Sequence, residues 1–323
     1  MTKFCRHGTL IESCPICRAS VELEQRTAIQ AAAVRRGPGK RTQSSLRPRR
    51  ASAGGPGRLM IRREVREADD GFRSPLAPGL RSSADGARLA QEIARASRRL
   101  EVLRAAPPGL YAEVAGEADL EEASWLAFLI AYLGPLASDD PFATVRERRT
   151  SWRGGELPML DGAALGPRTA HDPTRGQATL AAYRRFVERF GSQAAALTAE
   201  VSWSEAQRFE RLFERLALPG LHRRARYDLL VTLGALGRYP LASASLLLSE
   251  DDAVSRSAKR VFGIGDRLTL ERRVRELARA CGAPVAAFDL ALESWASPEP
   301  IAQGVPVTLE SDAQERAARA LGL

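Results

Sequence analysis

No stretch of this chain is apolar for long enough to cross a bilayer. The longest run, Trp125 to Leu136, falls well short of the about 20 residues that a spanning helix needs. The N-terminus also lacks the apolar core of a secretory signal, so the sequence reads as a cytoplasmic protein without a membrane partner. Cysteine is scarce, at 4 in 323 residues, which excludes a disulfide framework and leaves metal binding or free thiols. Alternating β-branched runs are missing, which excludes a sheet and points to an all-α fold. Acidic residues are absent between Ala31 and Met60, where eight cations fall: Arg35, Arg36, Lys40, Arg41, Arg47, Arg49, Arg50 and Arg58. Without that segment, a formal charge of +9 drops to +1. Any polyanion contact made by the remaining chain must therefore come from a local patch rather than from overall charge.

The composition divides the chain into four parts. Residues 1–18 are rich in Cys and His, and residues 19–83 read as a disordered basic linker of Arg, Gly, Pro, Ser and Ala with too little apolar surface to offset its ordering entropy. Residues 84–300 read as a helical domain and residues 301–323 as a C-terminal tail. Within the domain, Leu89, Ile93, Leu100 and Leu103 share one helical face, and Pro107-Pro108-Gly109 ends that helix. Asp119 with Glu122 predicts a capping box before Trp125, Phe128, Leu129 and Tyr132. Ser202 with Glu205 predicts another before Phe209, Leu212, Phe213 and Leu216. Tyr183, Phe186, Val187 and Phe190 repeat at helical spacing, and the Gly/Pro-rich stretch from Trp152 to Gly176 reads as a loop or insertion.

At the N-terminus, Cys5, His7, Cys14 and Cys17 provide four soft or borderline ligands within thirteen residues. Zinc takes four such ligands tetrahedrally, and the Cys14-Pro15-Ile16-Cys17 turn can present two thiolates to one ion. Four protein ligands leave no open position for water, so this is read as a structural Zn2+ knuckle. Knuckles of this kind bind nucleic acid or protein partners.

Further along, Val261-Phe262-Gly263-Ile264-Gly265-Asp266 places an apolar-Gly-apolar-Gly hairpin between helical segments Ala253 to Val261 and Leu268 to Ala280. Gly263 and Gly265 permit a tight turn whose amides can approach a phosphate, with the following helix start, at Arg267, offering its positive end to the same anion. Such a grip holds DNA backbone without reading sequence. A second glycine turn at Gly220 leads into His222, Arg223, Arg224 and Arg226, a cluster open to either phosphate contact or plain solvation. Asp289 opens a helix after Cys281-Gly282-Ala283-Pro284 and reads either as a helix cap or as a catalytic acid. Asp251 and Asp252, followed by Arg256 and Arg260, form a competing acid-and-arginine arrangement, with helix capping and a solvated basic face as the alternative. His171 and Cys281 have no evident partners and read as structural.

In this order the motifs resemble the helix-hairpin-helix DNA glycosylase superfamily. They look most similar to the alpha-glutamyl/putrescinyl thymine pyrophosphorylase family, clade 3, through the Cys/His N-terminus and the block Ala258-Lys259-Arg260-Val261-Phe262-Gly263-Ile264-Gly265-Asp266. The resemblance implies a helix-hairpin-helix glycosylase-like fold and DNA as partner. It also implies a reaction in which an amine such as glutamate or putrescine displaces pyrophosphate from a pyrophosphorylated hydroxymethyl thymine-type base. Asp289 then matches the glycosylase acid. Arg267 falls where some glycosylases carry a Schiff-base lysine, and because arginine does not deprotonate, lyase chemistry of that type is not expected. Phe262 stands where proline is usual. A base taken from duplex DNA must be extruded into a pocket, for which Trp125, Tyr132 and Trp295 are candidate walls. A non-catalytic DNA-binding adaptor and a monofunctional DNA glycosylase are the alternatives.

Overall fold

The computed structural model describes residues 67–323 apart from 250, 251, 264, 299, 300, 302 and 303. The proposed zinc ligands Cys5, His7, Cys14 and Cys17, most of the basic linker, and Asp251 lie outside the described residues. Among those described there are twelve helices and no strand, and no helix is long and apolar enough to cross a membrane. The fold is all-α, as the missing β-branched alternation predicts.

The centre is α3 (Leu120–Leu133), preceded by α1 (Ser83–Ala105) and α2 (Leu110–Gly116). Every residue of α3 from Ala123 to Leu133 is buried, so it is enclosed on all sides rather than presenting one stripe. It is surrounded by α2, α4 (Ala143–Arg148), α6 (Gln193–Ala196) and α8 (Arg223–Ala235). Trp125, Phe128 and Tyr132 stack along it, and Tyr183 of α5 (Gly176–Glu188) lies 3.8 Å from the Phe128 ring centroid. Leu89, Ile93, Leu100 and Leu103 are the buried face of α1, which ends before the Pro107-Pro108-Gly109 break as expected.

Two predicted caps are placed differently. Asp119 does cap α3, accepting from the Glu121 amide at 3.0 Å, but Glu122 does not close the box. Its carboxylate turns instead to the following loop, accepting from Ser151 Oγ and from the amides of Trp152 and Arg153. Those three donors outcompete a single amide at the helix start. On α7 (Glu205–Arg215) the capping box is formed by Ser204 and Gln207 rather than by Ser202 and Glu205, because the helix begins two residues later than the pattern suggests.

The C-terminal half comprises α9 (Ala253–Phe262), α10 (Arg267–Cys281), α11 (Ala287–Ala296) and α12 (Ser311–Leu321). α1 packs against α11 and α12, and α9 packs against α11. The tail thus carries a helix, with Ala317 and Leu321 buried, and α12 also touches α10. At the other boundary, residues 67–82 are non-helical yet packed: Ser74, Ala77, Leu80 and Ser82 are buried. The stretch assigned to the linker therefore ends in an ordered strap against the helical unit.

Candidate functional site

The hairpin joins α9 to α10. Gly263 closes α9 in the left-handed region at φ 65°, with its amide donating to Lys259 O at 2.8 Å, a conformation in which a Cβ would be strained. Val261 and Phe262 are fully buried and anchor the turn, while Gly263 and Gly265 are exposed. The strap supports it from behind. Gly79 donates its amide to Val261 O at 2.8 Å, and a Cβ on Gly79 would lie 2.0 Å from Arg260 O. The amide of Gly265 has no partner among the described residues. However, Asp266 caps α10 by accepting from the Thr269 amide at 2.8 Å, and hydrogen bonding from Thr269 holds its carboxyl below the ordinary value. A negative charge therefore sits where a phosphate would meet the helix start, which weakens the anion grip of the hairpin alone. Arg267 is exposed beside it.

The larger cationic feature lies along α9. A cleft of about 800 Å³ is lined by Arg88 of α1, Arg223 and Arg224 of α8, and Arg256 and Arg260 of α9, with His222 at its edge. The described carboxylates in its wall are Asp252 and Glu293, so five arginines face two acids. Two helix starts converge on it: Asp252 caps α9 through the Ser255 amide at 2.6 Å, whereas His222, the N-cap of α8, makes no side-chain cap bond. The uncapped start of α8 adds to the positive field of the cleft. Arg256 is exposed and forms no ion pair among the described residues.

Arg223 forms the inner wall and is 5 % exposed. Its Nε lies 3.1 Å from Asp252 Oδ2 and donates to Leu247 O at 3.1 Å; its Nη2 reaches Asp289 Oδ1 and Leu246 O, both at 2.5 Å. Its buried Nη1 has no hydrogen-bond partner among the described residues. The loop it grips is strained: Leu247 has φ 51°, which costs a β-carbon-bearing residue roughly 1–2 kcal/mol. Glu271 of α10 holds that conformation by accepting from the amides of Leu246 and Leu248 at 2.7 and 2.9 Å.

Beneath the cleft is a buried ion network. Asp289 is 1 % exposed and accepts from Arg223 on one oxygen and from Arg168 on the other, the latter at 3.0 Å. Burial pushes its carboxyl upward, but the two guanidiniums outweigh that and hold it below the ordinary carboxylate value. It is therefore not the cap of α11, whose N-cap is Ala286, and it does not line the cleft. Arg168 also binds Asp228 at 3.0 and 3.1 Å and Glu293. Arg224 in turn pairs with Glu293 at 2.5 Å and donates to Thr169 O at 3.2 Å.

The structure thus brings together His222, Arg223 and Arg224 with Arg256, Arg260 and Asp252 of the competing arrangement. It sets the others apart. Arg226 lies with its guanidinium 4.3 Å over the Phe213 ring and donates to Phe213 O, which directs it toward α7 and not into the cleft. Gly220, at φ 78°, permits a close approach to Thr179, whose Oγ1 would sit 2.0 Å from an added Cβ. Trp125 and Tyr132 are core residues: Trp125 donates to Thr150 O, and the Tyr132 hydroxyl meets His171 Nδ1 at 3.1 Å. Burial lowers the His171 pKa and pushes the Cys281 thiol up to about 12, so the thiol stays protonated at neutral pH. Trp295 is buried beneath Arg88 and Arg260 rather than forming an open wall. Arg168, Glu293 and Arg88 escaped the sequence reading, since each lies far along the chain from the motifs they serve; Gly166-Pro167-Arg168 in the loop was the one local mark. Among the described residues, no cluster of His, Cys, Asp or Glu is placed to hold a metal ion.

No family model matches the chain, and no match to it was found among curated proteins or solved structures.

Proposed function

We propose that this protein acts on DNA, with the arginine-lined cleft as the seat for an extruded nucleotide and the exposed glycine hairpin as a contact to the backbone beside it. The observation that carries the reading is positional: α9 supplies Arg256 and Arg260 to the cleft and ends in the hairpin. One helix therefore connects a backbone contact to a nucleotide-sized cationic cavity. The resemblance to the thymine pyrophosphorylase group gives the chemistry. An amine nitrogen of a donor such as glutamate or putrescine attacks the methylene carbon of a pyrophosphorylated hydroxymethyl base. A C–N bond forms, the C–O bond breaks, and pyrophosphate leaves with the electron pair. The amine sheds one proton, for which Asp252 and Glu293 are the described carboxylates within the cleft. In this reading Asp289 is a positioning residue that fixes Arg223, and the zinc knuckle of residues 1–18 is a structural module engaging DNA or a partner.

A second reading, a non-catalytic DNA-binding adaptor, is favoured by one feature: Asp252, Asp289 and Glu293 are each already paired with arginine. Incubating the full chain with duplexes carrying normal or pyrophosphorylated hydroxymethyluracil, with and without putrescine or glutamate, separates the readings. Amine-dependent pyrophosphate release is the expected result. Free base in its place indicates a glycosylase, and binding without turnover indicates the adaptor.

A further inference from the structure

Helix α10 buries Leu270, Glu271, Val274, Leu277, Ala278 and Cys281 against the core. The opposite face carries Leu268, Arg272, Arg275 and Arg279, all of them exposed. At 3.6 residues per turn these four fall within a sector of about 60° and make a stripe about 16 Å long. Arg272 has one weak ion pair, to Glu276 Oε1 at 3.8 Å, between two side chains that are both open to solvent. The side chains of Arg275 and Arg279 have no hydrogen bond or ion pair among the described residues. The other acid of the helix, Glu271, is buried and committed to the amides of Leu246 and Leu248. A merely solvated face gains from opposite charges at i,i+4 spacing, yet here a single exposed acid stands among three arginines. The stripe also begins at the hairpin. Gly265, where an added Cβ would meet nothing within 4 Å, stands three residues before Leu268, so the open turn and the basic face are continuous.

We infer that this face of α10 is a contact track for the phosphate backbone of duplex DNA, extending the hairpin contact along the helix. The argument is charge complementarity over a length. Successive arginines three or four residues apart advance about 4.5–6 Å along the helix, and a duplex offers a phosphate charge every about 1.7 Å of its axis. Each guanidinium fork therefore finds a phosphate in reach without reading sequence. An anionic lipid surface fits less well, because a membrane-bound amphipathic helix inserts its apolar face, and that of α10 is already buried in the core. This rests on the DNA reading above and assigns a surface along which the duplex lies.

Fluorescence anisotropy of the full chain with a labelled duplex, repeated across a salt series, tests the inference. The double variant Arg275→Gln with Arg279→Gln is expected to flatten the dependence of log affinity on log salt by about 1.8, or about 0.9 for each lost phosphate contact. A control of equal charge change, Arg146→Gln with Arg211→Gln on the exposed surfaces of α4 and α7, is expected to keep the wild-type slope. Arg275→Gln alone, with an expected change of about 0.9, carries the test if circular dichroism shows that the double variant has lost helix. An unchanged slope in the α10 variants overturns the inference, and so does an equal change in the control, which would report net charge rather than a placed contact. Weakened binding to phosphatidylserine vesicles with an unchanged DNA slope assigns the face to a lipid surface and likewise overturns it. A duplex bound normally by the α10 variants but weakly by Arg256→Glu removes this inference alone. Failure of the wild-type chain to bind duplex removes the DNA reading and this inference with it.

Discussion

Asp289 is held between two buried guanidiniums at the first turn of α11. An acid at the first turn of a helix suggests a cap or a general acid, but here both oxygens are taken by Arg168 and Arg223. Replacing it with Asn takes one carboxylate from two buried guanidiniums, leaving Arg168 with Asp228 and Glu293 and Arg223 with Asp252, and a loss of about 1–3 kcal/mol is expected. Urea unfolding of Asp289→Asn measures that loss. Because the folded carboxyl lies below the ordinary value of 3.8, its stabilising contribution is fully present above that value and disappears as the pH falls through the lower folded value. Wild-type melting temperature should therefore drop on acidification below about pH 4 more steeply than that of Asp289→Asn, and parallel curves would refute the assignment.

At the scale of elements, the hairpin is held by a segment that its own sequence does not announce. Gly79 touches the backbone of α9 so closely that Gly79→Ala forces the strap away from Arg260 O, with an expected loss of about 1–3 kcal/mol. A denaturation midpoint unchanged in that variant would show that the strap is not engaged. The helices themselves were legible, since the apolar spacing of Leu89, Ile93, Leu100 and Leu103 marks the buried face of α1, and the glycines at 263 and 282 mark the ends of α9 and α10. The caps were read less well, because a Glu three residues after an Asp fits a capping box whether or not a loop thirty residues away claims the carboxylate, as happens to Glu122. The cleft was legible only in part. His222 to Arg224 and Arg256 to Arg260 stand in short runs, but Arg88 is one cation among many on an amphipathic helix, and Arg168 lies in a loop without periodicity. Tertiary packing alone brings them to one place.

Across the whole molecule the charge is unevenly distributed: eight cations without an acid lie between Ala31 and Met60, and a cluster of arginines lies around one cleft of a unit that is near neutral as a whole. On the proposed DNA reading, two separable contributions to binding follow. Deleting residues 31–60 should flatten the dependence of log affinity on log salt, by about 0.9 for each phosphate the lost cations neutralise, and an unchanged slope would exclude the segment from DNA contact. The cleft, in contrast, should contribute through a few placed arginines. The most direct measurement is the affinity of the full chain for duplex DNA at fixed salt, compared between wild type and Arg256→Glu, since Arg256 is exposed and its replacement leaves the buried network intact. The account predicts a loss of about tenfold or more. Equal affinity of the two proteins would contradict it.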